Sequence, residues 1–533
     1  MSKYLNWPLD NEKANKITTI IAAVLGFAAA AALLMTLFSE AFDGARSLRY
    51  NLYFVVIFVF ATIPTLYFLY HMKSEREFKY EHLFLVISIC WGMVFQLAMP
   101  ALSGPDEANH FYSAYNASNV FLGTSSDNVE ENGMSLMRNC DTSFFLYDVN
   151  FPDTYWLTAD ANMFGVDGED AELIEVNMIA GAWFRYIPSG LGIMLARFVG
   201  ASLVALMYFG RFFNTIFYII CGYFAVKLTP VGKAQVCTAA MIPHVIELCS
   251  SYSYDVMSIS LCILSVALCL YYSEPHRDFR AVDFLILMIL FVLIAPNKGC
   301  YMAYMIMLFC IPFRKWKDMV LRKDPVNIGL LVAMVAGFIF VFKRYLFSLI
   351  QGYVWKIFTL AENDIEQYAG RPAFNFEYIK ANPGETLKLV FHTFKEYWWL
   401  DTQAMLGRDP MHHSITLLVP LWIFVVMVIV IFATLLVNRS KALDKKRYIL
   451  WLVTTFATLF IIVCGCLIRF TPLDAERVQI ASRYYIPIFM AGLMCTGSRA
   501  KENPWTLKLL YLQNLLLTPY IISCLVFLLN LTK

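Results

Sequence analysis

The chain has 533 residues, of which 59% are hydrophobic and 15% charged, and its formal net charge is +2. A soluble domain carries about 25% charged residues, whereas here the apolar residues gather in blocks of about 20, the length that crosses a hydrocarbon core of about 30 Å. A single soluble globular domain is therefore excluded, and the expected class is an all-α polytopic membrane protein.

In chain order, about 13 transmembrane helices are expected, at 17–38, 51–71, 83–101, 201–226, 234–250, 255–272, 282–295, 299–313, 326–345, 413–437, 448–468, 484–497 and 508–530. The first follows Lys3, Lys13 and Lys16, and at about 22 residues it exceeds the apolar core of a signal peptide. It is read as a retained helix. Several later spans are shorter than about 20 residues, which a membrane tolerates where helices pack inside the protein or line a wet cavity. The chain divides into an N-terminal two-helix segment 1–82, a membrane core 83–345, an outer segment 346–412 and C-terminal helices 413–533.

Orientation follows from lysine and arginine in short loops. Lys73, Arg76 and Lys79, then Lys227 and Lys233, then Arg277 and Arg280 alternate correctly with the spans and share a side with the N-terminus. So do the clusters at 314–323, 439–447 and 499–508. That side is expected to be cytoplasmic, which leaves the C-terminus outside a multi-pass cell-membrane protein. The opposite side carries two long segments, 101–188 and 347–412. The first holds 14 Asp and Glu against Arg138 and Arg185, with no lysine. Loops this long are usually functional or folded; the plain reading is a solvated cap over the helix ends. Most of the 13 cysteines lie in apolar spans, and Cys140 has no evident loop partner. A disulfide framework is not expected, and no CxxC pair suggests a metal.

The most informative stretch is Pro105-Asp106-Glu107-Ala108-Asn109-His110, just after the third span. If it turns helical, Asp106 and His110 share a face at i and i+4. Asp106, Glu107 and His110 could then bind a divalent cation (Mg or Mn) through oxygen and imidazole, or a carboxylate could accept a proton from an attacking hydroxyl. Against this stands ordinary N-terminal capping, which also favours Pro, Asp and Glu. Asp255 follows the run Ser250 to Tyr254 between two spans and, taken alone, reads as a helix cap. Arg211 and Asn214 lie in or near a span, Lys298 lies in a short outer turn, and Arg483 precedes Tyr484. Ionisable groups at membrane depth cost about 2.5–3.5 kcal/mol on insertion scales and usually face a cavity or a partner. On this topology the cations converge on the outer half with the carboxylates, an arrangement suited to a phosphate or pyrophosphate. Snorkelling or internal salt bridges are the alternative. Glu247 lies within a span after Pro243 and His244, and could pair with a cation or mark an ion path.

The pattern Gly104-Pro105-Asp106-Glu107-x-x-His110 resembles an uncharacterised bacterial family of polytopic membrane proteins, a domain of unknown function. Tyr186-Ile187-Pro188, Gly210-Arg211 with Asn214, the run from Ser251 to Asp255, Lys298 with Tyr301, and the run from Ser482 to Pro487 match it in order. That family is similar to the C-type (GT-C) membrane glycosyltransferases, although here the acidic motif follows the third span and not the first. The resemblance implies a helix bundle, an essential acid in an outer loop and a polyprenyl-phosphate-linked sugar as donor, with a cell-surface glycan as acceptor. Asp106 or Glu107 would act as base or position a metal, His110 would orient a carboxylate or bind the acceptor, and Arg211, Asn214, Asp255, Lys298, Arg483 and Tyr484 would bind substrate. The competing expectation is a transporter or flippase for a lipid-linked saccharide. Nucleic acid is not an expected partner.

Overall fold

A computed structural model of the chain describes residues 12–38, 48–74, 78–99, 104, 106–123, 135–138, 173–176, 183–201, 203–341, 367–368, 371–408, 419–437, 443–497 and 504–530. Cys140 and most of the acidic segment lie outside these residues. The described residues are overwhelmingly helical. Seven helices are long and apolar enough to cross a membrane, and the shorter apolar helices Ala281–Ala295, Gly299–Cys310, Pro325–Gly337 and Leu421–Val437 join them.

The chain begins with α1 (Glu12–Thr36), α2 (Leu48–Ser74) and α3 (Tyr80–Ala98), each packed on the next. α4 (Glu107–Leu122) is the helix anticipated after Pro105, and it ends at Gly123 in a left-handed cap. Two short strands, β1 (Ser135–Arg138) and β2 (Leu173–Val176), pair antiparallel inside the acidic segment. A 3-10 turn at Trp183–Tyr186 leads into α5 (Ile187–Phe198), which begins with Pro188 where a proline costs no hydrogen bond. α5 was not among the expected spans. It lies against α4 and against α6 (Leu203–Leu228), and a Cβ at Gly192 would collide with the Phe209 carbonyl of α6.

The span expected at 234–250 is broken into α7 (Lys233–Ala240) and α8 (Pro243–Cys249). The cause is local: Pro243 forces Ile242 out of helical geometry, to φ −67° and ψ 123°. α9 (Asp255–Ser273) is the central helix, with 89% of its apolar window buried, against 22% for the first span. α10 (Ala281–Asn297) hands over at Lys298 to a 3-10 helix, Gly299–Cys310. Twelve residues of 3-10 helix is unusually long. Its period of three is visible in burial, because Tyr301, Tyr304, Met307 and Cys310 form one buried row. α11 (Phe313–Leu321) and α12 (Pro325–Val341) follow.

β3 (Gln367–Tyr368) and β4 (Arg371–Pro372) make a minimal hairpin before α13 (Phe376–Ala381) and α14 (Pro383–Met405). α15 (Leu421–Val437), α16 (Lys445–Phe470), a 3-10 turn at Ser482–Tyr485, α17 (Ile486–Thr496) and α18 (Pro504–Asn530) complete the chain. α16 lies along the 3-10 helix, and α18 returns to α1 and α15. Residues 100–101, 202, 342–345 and 413–418, of four expected spans, are outside the described residues. No described cysteine is in a disulfide.

Candidate functional site

The site starts at the turn between α3 and α4. Asp106 has φ 56° and ψ 21°, and among the described residues it is the sole non-glycine with positive φ. Aspartate tolerates this left-handed geometry better than most residues, but it still costs about 1–2 kcal/mol. The twist sends two neighbouring carboxylates in opposite directions: the Asp106 side chain is 60% exposed, the Glu107 side chain 1%. Asp106 occupies the N-cap position without making a side-chain cap hydrogen bond, so capping does not account for it.

Glu107 is saturated from within the protein. Arg211 donates Nε to Oε1 and Nη2 to Oε2, each at 2.7 Å, in a bidentate pair. The Gly104 N–H donates to Oε2 at 2.9 Å and the Tyr252 N–H to Oε1 at 3.1 Å. Both partners are buried, so the pair ties the turn to α6 and to the loop before α9.

A second network joins the start of α9, the end of α10 and the turn that leads into α17. Arg483 Nη2 meets Asp106 Oδ2 at 3.2 Å, while its Nε lies 3.1 Å from Asp255 Oδ2. Lys298 Nζ pairs with Asp255 Oδ1. The result is an alternating row: Asp106, Arg483, Asp255, Lys298. Lys298 Nζ also stands 3.8 Å from the centre of the Tyr484 ring and 4.8 Å from that of Tyr254, both suitable for cation–π attraction. Asn297 donates to Ser258 Oγ at 2.8 Å, fixing the turn that carries Lys298. The Tyr301 hydroxyl donates to the Tyr484 carbonyl at 3.0 Å and couples the 3-10 helix to the Arg483 turn. Asn214 is set back from this row and donates to the Ser251 carbonyl at 2.7 Å.

His110 is buried, with Nδ1 2.8 Å from the Tyr186 hydroxyl and its ring 5.1 Å from that of Tyr254. Burial, helped by the nearby Arg483 charge, lowers its pKa from 6.5 to about 4, so it is neutral at physiological pH. Asp106 and His110 are joined along the helix by the backbone bond from His110 N–H to the Asp106 carbonyl, at 3.1 Å. Their side chains part, one toward Arg483 and one toward Tyr186.

Asp106, Glu107 and His110 do not form a metal-ligand set. The Glu107 oxygens are occupied, His110 Nδ1 is engaged and Asp106 is turned away. Among the described residues no group of three or more His, Cys, Asp and Glu is placed to hold a metal. Nor do the cations form an open anion cradle: Arg211, Lys298 and Arg483 each have a carboxylate partner. The structure does bring Asp106, Asp255, Lys298, Arg483 and Tyr484 together, with Glu107, Arg211 and Asn214 as a buried layer behind them.

Sequence reasoning gave no role to Tyr252, Tyr254, Tyr186 or Asn297. The first three stand in the matched runs, but nothing in their spacing shows which ring a lysine will cover or which backbone N–H a carboxylate will take. No curated protein and no solved structure matches the chain. The profile of a family described as predicted membrane protein DUF2142, a domain of unknown function, matches residues 89–491, a stretch that takes in every residue of the site. The chain is a multi-pass membrane protein and belongs to the DUF2142 family.

Proposed function

We propose that the chain is a membrane glycosyltransferase that moves a sugar from a polyprenyl-phosphate carrier to a cell-surface glycan. In this reading about 13 spans form a GT-C-like bundle with a cytoplasmic N-terminus, an outer C-terminus and the Asp106 rim on the outer face. The observation that carries the proposal is the alternating row at that rim. Asp106 is its exposed end, and the row sums to zero charge with both carboxylates ionised.

Asp106 is the base. The acceptor hydroxyl oxygen attacks the anomeric carbon and its proton passes to Asp106. The bond from that carbon to the phosphate oxygen breaks, the electron pair leaves with the polyprenyl phosphate, and the anomeric centre inverts. As Asp106 takes the proton, the row gains one net positive charge, carried by Arg483 and Lys298. It does so at the moment the leaving phosphate gains negative charge. Asp255 and the Tyr484 ring hold the two cations. Glu107 and Arg211 position the turn without touching substrate. The exposed Trp398 and Trp399 of α14 offer flat apolar surfaces of the kind sugar rings stack on.

Purified protein in detergent, given a polyprenyl-phosphate sugar and a glycan acceptor, should transfer sugar, and Asp106→Asn should lose at least about 100-fold of that rate while folding normally. Full activity in Asp106→Asn would remove the assignment. A transporter or flippase is the second reading, favoured by the broken helix α7–α8 and its buried Glu247. It needs a sealed compartment, whereas transfer proceeds in detergent.

A further inference from the structure

Behind the Glu107–Arg211 pair lies a small pocket that the proposed transfer reaction does not use. Glu107, Arg211, Glu247, Ser250 and Ser251 supply its polar lining, and Phe95 and Met99 its apolar wall. It has room for about one water-sized guest. Glu247 belongs to α8, the half-helix that starts at Pro243, and only 5% of its surface is exposed. One of its oxygens, Oε2, lies 3.1 Å from His244 Nδ1. The other, Oε1, is buried and has no hydrogen-bond partner, and the same holds for Ser250 Oγ in the same pocket. A buried polar atom without a partner costs about 1–3 kcal/mol. Two buried oxygens left open on residues that line one small pocket point to a guest that binds oxygen.

Charge identifies the guest. Glu107 and Arg211 cancel each other through their bidentate pair, so the pocket's remaining fixed charge is that of Glu247. Tyr520 and Cys524 of α18 also lie near Glu247, and neither side chain brings a positive charge to it. His244 offsets it only by taking up a proton. One positive charge is missing. We infer that Glu247, with Ser250 and His244, binds a single monovalent cation, either Na+ on the two open oxygens or a proton on the Glu247 carboxyl beside His244. A divalent ion would leave the pocket with an excess positive charge beside Arg211. The break at Ile242–Pro243 gives the site its shape, because it aims the start of α8 and hence Glu247 at the Arg211 layer. This inference is independent of the transfer reaction: the site stands whether the chain makes a glycosidic bond or moves a solute.

The test uses the full chain in detergent. Its thermal midpoint is measured in NaCl and in choline chloride at equal ionic strength, and its infrared difference spectrum is taken on acidification from about pH 8 to about pH 5. A midpoint that rises with NaCl and not with choline chloride, with the rise lost in Glu247→Gln and reduced in Ser250→Ala, supports the site with Na+ as the guest. No Na+ effect, together with a protonated-carboxyl band in the wild type that Glu247→Gln abolishes, supports it with a proton as the guest. Neither a Na+-specific shift nor such a band in the wild-type chain overturns the inference and leaves the pocket to a structural water. That outcome is read on the wild-type chain and needs no variant to fold. If Glu247→Gln fails to fold, Ser250→Ala decides the Na+ arm and His244→Gln, expected to change the infrared band, decides the proton arm.

Discussion

The two adjacent carboxylates of the Asp106 turn should answer substitution in opposite ways, and Glu107→Gln is the sharper perturbation. The amide keeps the shape of the side chain but has one oxygen where the carboxylate has two. At the Oε1 position it faces Arg211 Nε and the Tyr252 N–H; at the Oε2 position it faces Arg211 Nη2 and the Gly104 N–H. In either orientation the new NH2 is pressed against two donors, and Arg211, itself 3% exposed, keeps a full charge without a counter-charge. Breaking one side of a buried ion pair costs about 3–5 kcal/mol. The retained oxygen still accepts from Arg211, so the expected loss is about 3 kcal/mol. Arg211→Met alone strands Glu107 and should cost a similar amount. The double variant removes both charges and should be less destabilised than the sum by about 2 kcal/mol or more. The assay compares loss of native, monodisperse protein in detergent at one fixed heating rate, because unfolding of such proteins is commonly irreversible. Wild-type heat resistance in Glu107→Gln, or simple additivity in the double variant, would refute the structural role of the pair.

Other consequences follow from the same geometry. Arg483→Ala removes the cation shared by Asp106 and Asp255, and on the proposed mechanism should raise the donor concentration needed for half-maximal transfer by about tenfold or more; an unchanged donor dependence takes Arg483 out of that mechanism. His110 has its pKa depressed from 6.5 to about 4, so its contribution to stability is complete above about pH 6.5 and is lost as pH falls toward 4. The full effect is about 3 kcal/mol. Comparing acid sensitivity with that of His110→Gln over this window checks it, and an equal slope in both would count against it. Gly210→Ala sets a Cβ against the Tyr252 ring, whose backbone N–H serves Glu107 and whose hydroxyl serves the Leu206 carbonyl. It should lower the heat resistance of the chain by about 1–3 kcal/mol of stability, and an unaltered melt would show that Tyr252 shifts freely.

The seven long spans were legible because each needs only a local property, a run of apolar side chains; α3, α9 and α16 begin and end within a few residues of the limits expected from hydropathy. The helix after Pro105 was legible too. The division of α7 from α8 was written in Ile242-Pro243 but masked by the continuous apolarity around it. What could not be read was pairing. Glu107 and Arg211 lie 104 positions apart, and Asp106 and Arg483 lie 377 apart. Both signs of charge were expected on one side of the membrane, yet whether cations await a ligand or satisfy each other's carboxylates is decided by the fold. Similarly, adjacency in sequence suggested a shared role for Asp106 and Glu107, and a single positive φ separated them.

The 3-10 helix between Lys298 and Cys310 works as a ruler. At about 2.0 Å per residue its 12 residues reach about 24 Å, while the same residues wound as an α-helix would span about 18 Å. With Cys310 anchored, rewinding would draw Lys298 about 6 Å along the helix axis toward Cys310 and so break its register with Asp255. The buried row Tyr301, Tyr304, Met307 and Cys310 would also rotate out of line. The reach of the lysine is thus stored in the winding of the segment beneath it, and any influence that tightens or loosens that winding acts directly on the charge at the rim.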